Sequence, residues 1–446
     1  MIFRIENRRI YLKKNIKSLV WFQVYYLLFY GFFRDVIGLP GIIAYVLDLL
    51  NIILFAYIVC SKKIFRVQNG YYKKVFLWIS LFVLVTFIGL IVVEGSMILY
   101  IWGFRNIFRY YMFFISCALL LDMSDIREII DIFKRIYIIN VLACTFELLM
   151  GYRGDYVGGI FGTQQGCNGY LNLFLIIVSA IYITEYLEKK VGLLKLIAVI
   201  LTAFYIMSIS ELKVFLFELP VIIFLALVNA KFSLRKIIII MTGILGLVVG
   251  VSMLGYFFED SGISFFTSDA IYKYMGDRGY TNSGDLSRFN AVSQIYKRFL
   301  KGDIEKELFG IGLGNAAYSS AFSFFNSNFY LLYNKLHYQW FTDAFIYIEL
   351  GSTGLFFFEG FFVIIYILSK KLSRYRKFED DKVKTMVQVS GIVSILSMFL
   401  TIYNSSLSMD SAYVVYFFLS IPIVVDLHFK KNNSYIFRNI SVKKVD

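Results

Sequence analysis

The segment His337-Tyr-Gln-Trp-Phe-Thr-Asp343 sets one of only two histidines six residues ahead of a carboxylate. Imidazole titrates near neutral pH and can take a proton from a hydroxyl. A nearby carboxylate can orient it or serve as the base itself. The same residues also suit a wet helix entry, and both readings stay open here. Upstream, Asp285 to Leu300 has helical spacing, with Leu286, Phe289, Val292, Tyr296, Phe299 and Leu300 on one face. Ser283 or Asp285 can cap its start. An amphipathic helix on a membrane domain most simply lies along the bilayer surface. Arg288 falls at the edge of that face, where it meets lipid headgroups or merely snorkels, and Arg298 projects the other way.

Between these segments runs Glu307-Leu-Phe-Gly-Ile-Gly-Leu-Gly-Asn315. It resembles part of a dinucleotide fingerprint but lacks the third glycine at the right spacing and any βαβ context. It predicts a tight turn where backbone packs closely. A second glycine-rich stretch, Gly151 to Gly162 followed by Thr-Gln-Gln-Gly-Cys-Asn168, predicts backbone that closely approaches a partner, or an ordinary loop. Glu211 and Lys213 sit in a very short connection at a membrane edge, either as a structural pair or as functional charges. Glu94, Glu147, Glu218 and Asp410 are isolated acids near or inside apolar runs.

The elements that must position these residues follow from composition. Hydrophobic residues make up 59% of 446, charged residues 17%, and mean hydropathy is +0.69. A soluble domain holds roughly 45–50% apolar residues. This composition predicts an all-α polytopic integral membrane protein, with 1–446 as a single membrane domain. It excludes a soluble enzyme, a nucleic-acid-binding protein, a secreted disulfide domain and a disordered regulator. A spanning helix needs roughly 20 mostly apolar residues. Twelve segments qualify by eye: 19–33, 40–60, 75–94, 107–121, 133–150, 168–187, 192–208, 213–229, 236–257, 344–368, 385–403 and 411–427. The tenth, with Glu349, Gly351, Gly354 and Glu359, is expected to begin as a broken or partly re-entrant segment.

The net charge of +14 is explained by these crossings. With both termini cytoplasmic, the short outer loops hold only Arg34, Arg105, Arg109, Arg153 and Lys213 of the 45 Lys and Arg. The basic first eighteen residues read as an anchor and not as a cleaved signal peptide. Cys60, Cys117, Cys144 and Cys167 follow no metal spacing. One connection is long. Residues 258–343, between helices 9 and 10, form a large extracytoplasmic loop, with the amphipathic helix near 285–300.

Three ordered segments resemble the O-antigen polymerase and O-antigen ligase superfamily. They are Gly159-Ile-Phe-Gly-Thr-Gln-Gln-Gly-Cys-Asn168, then Arg288 with its helix and Leu308-Phe-Gly-Ile-Gly-Leu-Gly-Asn315, then Asp343 through Glu349-Leu-Gly-Ser-Thr-Gly354-Leu. The resemblance covers about residues 140–370. It implies a glycosyltransferase of GT-C-like fold at the outer face of the plasma (inner) membrane, without metal or other cofactor. The donor would be a glycan on undecaprenyl diphosphate. A polymerase passes the growing chain to the next lipid-linked repeat unit, and a ligase passes it to another acceptor. A chain-length regulator and a flippase are the implied protein partners.

The resemblance also implies residue roles. Arg288 matches the family's large-loop arginine, whose fork binds diphosphate oxygens as the leaving group departs. Lys213 stands where the family often has arginine after its seventh or eighth helix. Arg278 and Arg153 are alternates for the diphosphate. His337 or Asp343 would be the base; the family's ligases carry histidine before asparagine where this chain has Asp343. A flippase or other carrier is the rival of a different class. Carriers are often built from related halves with a midplane site, and the halves here look unrelated. A membrane acyltransferase would carry His and Arg in early helices, and no early helix contains His.

Overall fold

The computed structural model describes residues 2–66, 70–229, 233–258, 288–316, 318–319, 322–334, 345–375, 378, 380–403 and 406–442. Every regular element among them is helical. Twelve long helices follow one another. They are α1 (Ile2–Asp35), α2 (Tyr45–Cys60), α3 (Tyr71–Val92), α4 (Met97–Leu120), α5 (Met123–Leu149) and α6 (Asn168–Leu187), then α7 (Leu193–Ile209), α8 (Phe215–Asn229), α9 (Leu234–Phe257), α10 (Phe345–Tyr375), α11 (Asp381–Tyr403) and α12 (Ala412–Val442).

Eight of these are long and apolar enough to cross a membrane: α1, α2 with its preceding 3-10 turn, α3, α6, α9, α10, α11 and α12. Helices α7 and α8 are apolar but shorter, at 17 and 15 residues. Helix α4 carries Arg105 and Arg109, and α5 opens on a charged stretch from Asp125 to Arg135. Each expected crossing falls on one of the twelve helices. Several helices outrun their apolar segment, because the backbone ladder does not depend on side-chain polarity. Thus the expected 107–121 becomes Met97–Leu120. The expected 133–150 becomes Met123–Leu149, started by a capping box between Asp122 and Asp125.

Ion pairs among the described residues gather at two ends of the bundle. At one end Lys17 meets Asp122 and Asp125 at 2.9 and 2.8 Å, Lys134 meets Glu185, Lys382 meets Asp131, and Glu188 holds Lys190 and Lys384. Burial would raise the Asp122 carboxyl, but hydrogen bonds from Ser124 and Lys17 outweigh it and hold Asp122 well below the usual carboxylate range. That tether of α1 to the α4–α5 turn is therefore in place above the ordinary aspartate pKa. It is lost only as pH falls far below that value. At the other end lie Arg34–Asp35, Arg105–Asp48, Arg109–Asp410 and Lys213–Glu211. Successive helices run between these ends in alternate directions. The long α9–α10 connection belongs to the second, here termed the loop end.

Between the belts, apolar side chains face outward. Ile237, Met241, Ile244, Leu245 and Val248 of α9 are all exposed, as are Ile138, Leu142 and Phe146 of α5. Such stripes are a liability in water and the expected lipid-facing surface in a bilayer. The interior is aromatic, with Tyr110, Tyr111, Phe113, Phe114, Tyr413 and Tyr416 almost wholly buried.

Helix α10 is broken, as its sequence predicts. Gly351 has φ 58° and ψ −170° inside the helix. The Gly310–Asn315 turn packs into the break. Ile311 N donates to the Ile348 carbonyl at 2.8 Å, Ala316 N donates to the buried Glu349 carboxylate at 2.8 Å, and Ser352 Oγ donates to the Glu307 carbonyl at 2.8 Å. A Cβ on Gly314 would overlap the Leu99 carbonyl of α4, so the GxGxG run is a packing turn.

Candidate functional site

The glycine-rich connection from Gly151 to Asn168 spreads over the loop end as a pinned plate. Three side chains accept hydrogen bonds from its backbone amides. Glu147 takes Gly158 N and Gly159 N at 3.0 and 2.7 Å, Asn140 takes Ile160 N at 2.9 Å, and Asp35 takes Thr163 N and Gln164 N at 2.9 and 3.2 Å. Gly162, at φ 99°, has no room for a Cβ beside Asp35 Oδ2. The partner that this backbone closely approaches is therefore the protein's own helices. Asn168 continues the plate, donating to Asp155 at 2.7 Å and to the Ser210 carbonyl at 3.1 Å. Glu147→Ala removes the acceptor of two buried N–H groups and is expected to cost about 2 kcal/mol or more. Glu147→Gln, which keeps one acceptor oxygen, is expected to cost less. Thermal unfolding in detergent checks this, and equal melting of all three proteins would contradict it.

Beside the plate lies an ionic lattice that binds α2, α4 and the entry to α12. Asp48 accepts from Arg105 and from Arg109, the latter at 3.2 Å, and Tyr413 OH donates to it at 3.2 Å. Arg109 also meets Asp410 at 2.9 Å and donates to Tyr110 OH at 2.6 Å. Tyr110 in turn donates to the Met409 carbonyl at 2.7 Å. Arg105 stacks over Trp102 and Tyr45. Two arginines and two aspartates balance in charge. Sequence reading counted Arg105 and Arg109 only as outer-loop cations. Their i, i+4 spacing was the available signal, because it puts both on one helical face.

Between plate and lattice is a cavity of about 200 Å³, lined by Tyr30 and Arg34 of α1, Gln164 and Gln165 of the plate, Tyr170 of α6, and Met409, among others. Arg34 is held by Asp35 through two hydrogen bonds of 2.5 and 3.0 Å and donates to Tyr30 OH at 3.0 Å.

The expected site residues fall in different places. Arg288 is the first residue of the helix Arg288–Ile295, which a π-turn over Tyr296–Leu300 extends. That helix buries Ala291, Ile295 and Leu300, with Phe299 partly covered, while Tyr296 is 43% exposed. Of the predicted face, Leu300 is buried, Val292 and Phe299 are half-buried and Tyr296 is exposed, while the side chains of Leu286 and Phe289 lie outside the described ones. Ala291 and Ile295 pack on Ala316 and Ile348, so the helix docks on the protein. Lys213 is ion-paired with Glu211 at 2.9 Å, as the structural reading of that connection expects. Arg153 is exposed and donates to the Leu148 and Tyr152 carbonyls. Its neighbour Gly154 lies against Glu211, so the structure brings Arg153 and the Glu211–Lys213 turn to the same corner. His337, Asp343 and Arg278 lie outside the described residues. Among the described residues, no group of three or more His, Cys, Asp or Glu side chains is placed to hold a metal ion.

The helices and their lipid-facing stripes define a membrane protein with transmembrane helices. No family model, curated protein or solved structure matches the chain.

Proposed function

We propose that this protein is a polysaccharide polymerase of the plasma membrane, for a capsule, exopolysaccharide or O-antigen, with twelve spans and a GT-C-like fold. In this reading the loop end faces outward and both termini are cytoplasmic. The scarcity of Lys and Arg in the short loop-end connections supports that orientation. The enzyme takes a growing glycan from undecaprenyl diphosphate and joins it to the next lipid-linked repeat unit.

The observation that carries the reading is where the polar groups gather. The glycine-rich plate, the Glu211–Lys213 turn, the cavity beside Arg34 and the docked helix that carries Arg288 all sit at the loop end, whereas the charges at the opposite end are taken up in ion pairs between helices. A carrier would place its site near the midplane between two halves. A transferase acting on a lipid diphosphate places it at the headgroup level, where substrate charges lie. Arg288 supplies the bidentate cation for the departing diphosphate, with Lys213, Arg278 and Arg153 as alternates for that role. His337 or Asp343 takes the proton from the attacking sugar hydroxyl. The glycosidic bond to the diphosphate breaks as the new one forms to that hydroxyl oxygen.

The test is reconstitution. Purified protein in liposomes, given lipid-linked repeat units extracted from the source strain, is expected to produce a ladder of lipid-linked oligomers. Units of unchanged length would contradict a polymerase. Transfer only to a different added acceptor would identify a ligase.

A further inference from the structure

We infer that the cavity between α1, the glycine-rich plate and Met409 is a saccharide subsite that takes one uncharged sugar ring of the lipid-linked substrate. The inference deepens the proposed function and rests on it for the source of the sugar.

The lining mixes apolar side chains, Leu27, Phe161 and Met409, with polar ones, and the charge of Arg34 is balanced by Asp35. The guanidinium of Arg34 is already clamped by Asp35 and Tyr30, and Asp35 spends its remaining acceptor capacity on the Thr163 and Gln164 amides. That leaves the side-chain amides of Gln164 and Gln165, which line the cavity and are exposed, with no hydrogen bond to another side chain or carbonyl among the described residues. Each amide presents two donors and an acceptor oxygen. A sugar hydroxyl both donates and accepts, so adjacent hydroxyls match such an amide. A phosphate accepts only, so it would use the amide N–H groups and leave both glutamine carbonyls without a donor. An acyl or isoprenoid chain would strand the amides without partners.

The walls complete the match. Tyr30 and Tyr170 supply aromatic surface for the C–H face of a pyranose, and the polar groups ring its edge. A volume of about 200 Å³ lies below the several hundred Å³ of a drug-sized pocket, so it suits a single ring. The rest of the glycan leaves past Gln164, Gln165 and Gly166, which are exposed. The plate that carries both glutamines is pinned by Asp35, Asn140 and Glu147, so little ordering remains to be done on binding. Tyr110 and Arg109 fix the opposite wall through Met409 and Asp410.

The experiment uses the full-length protein with Gln164→Cys or Gln165→Cys, each of which keeps the other glutamine's amide for the sugar, reacted with an impermeant maleimide. The signal is labelling above the wild-type background, which accounts for Cys167 in the cavity wall. The probe is the saccharide released by mild acid from the strain's lipid-linked units, with inorganic pyrophosphate as comparison. With saccharide several-fold above its Kd, labelling at both positions is expected to slow about fivefold, and pyrophosphate alone is expected to leave it unchanged. Protection by pyrophosphate and not by saccharide would overturn the inference in favour of an anion site. Protection by neither would overturn it outright. If the reconstituted wild type builds oligomers yet saccharide gives no protection, the subsite fails and the polymerase stands. If protection is seen without oligomers, the subsite stands and the polymerase fails.

Discussion

Replacing Arg288 with alanine is expected to reduce polymer by roughly 100-fold or more, the usual effect of removing one preorganised charge-stabilising donor. Protein level and membrane insertion should stay at wild-type values. Among the described side chains of its helix, the docking face is carried by Ala291, Ile295 and Leu300. Arg288→Lys keeps the charge but loses the planar fork, so partial activity is expected. Arg298→Ala, at an exposed position in the following π-turn, is the matched control and should leave polymer length unchanged. Gel analysis of surface polysaccharide alongside immunoblotting of membranes checks all three. Wild-type polymer in the Arg288→Ala strain would remove the assignment.

The largest stability effect is expected at Asp48. Its carboxylate is shared by Arg105 and Arg109, and the Arg109 side chain is only 9% exposed. Asp48→Ala leaves both cations short of their common partner, with Asp410 alone facing Arg109. Removing one member of a buried ion pair costs about 3–5 kcal/mol, because the other charge stays buried without compensation. Adding Arg109→Met to Asp48→Ala removes that stranded charge. The double variant is expected to lose less than the sum of the two single losses, by about 1 kcal/mol or more. Unfolding in detergent, followed for the four proteins of the cycle, provides the comparison. Strictly additive losses would mean that the lattice does not act as a unit.

Much of the architecture is legible in the sequence. All twelve apolar segments lie on helices, the turn at Gly310–Asn315 is a packing turn, and the tenth helix breaks at Gly351. These features depend on local signals: apolar length, glycine at positive φ, and charge at helix ends. What escaped depends on tertiary partners. Arg105 precedes the apolar part of α4, so it read as a loop cation. Its acceptor Asp48 lies on another helix, and Asp410, which completes the lattice around Arg109, comes from the far end of the chain. On the 285–300 helix, spacing identifies Leu300 as buried but not the contact of Ala291 and Ile295 with Ala316 and Ile348, because those partners come from later in the chain. The glycine-rich stretch was seen as backbone approaching a partner, but spacing could not reveal that the partners are Asp35, Asn140 and Glu147.

The most direct test of the polymerase is the pool of lipid-linked glycans in a strain lacking the protein. Their length and their side of the membrane are measured together, by extraction and by accessibility to an impermeant reagent. The account predicts single repeat units accessible from outside. Long chains still on the lipid would instead mean a ligase. Units confined to the cytoplasmic side would mean a flippase, and would contradict the roles given to Arg288, His337 and Asp343.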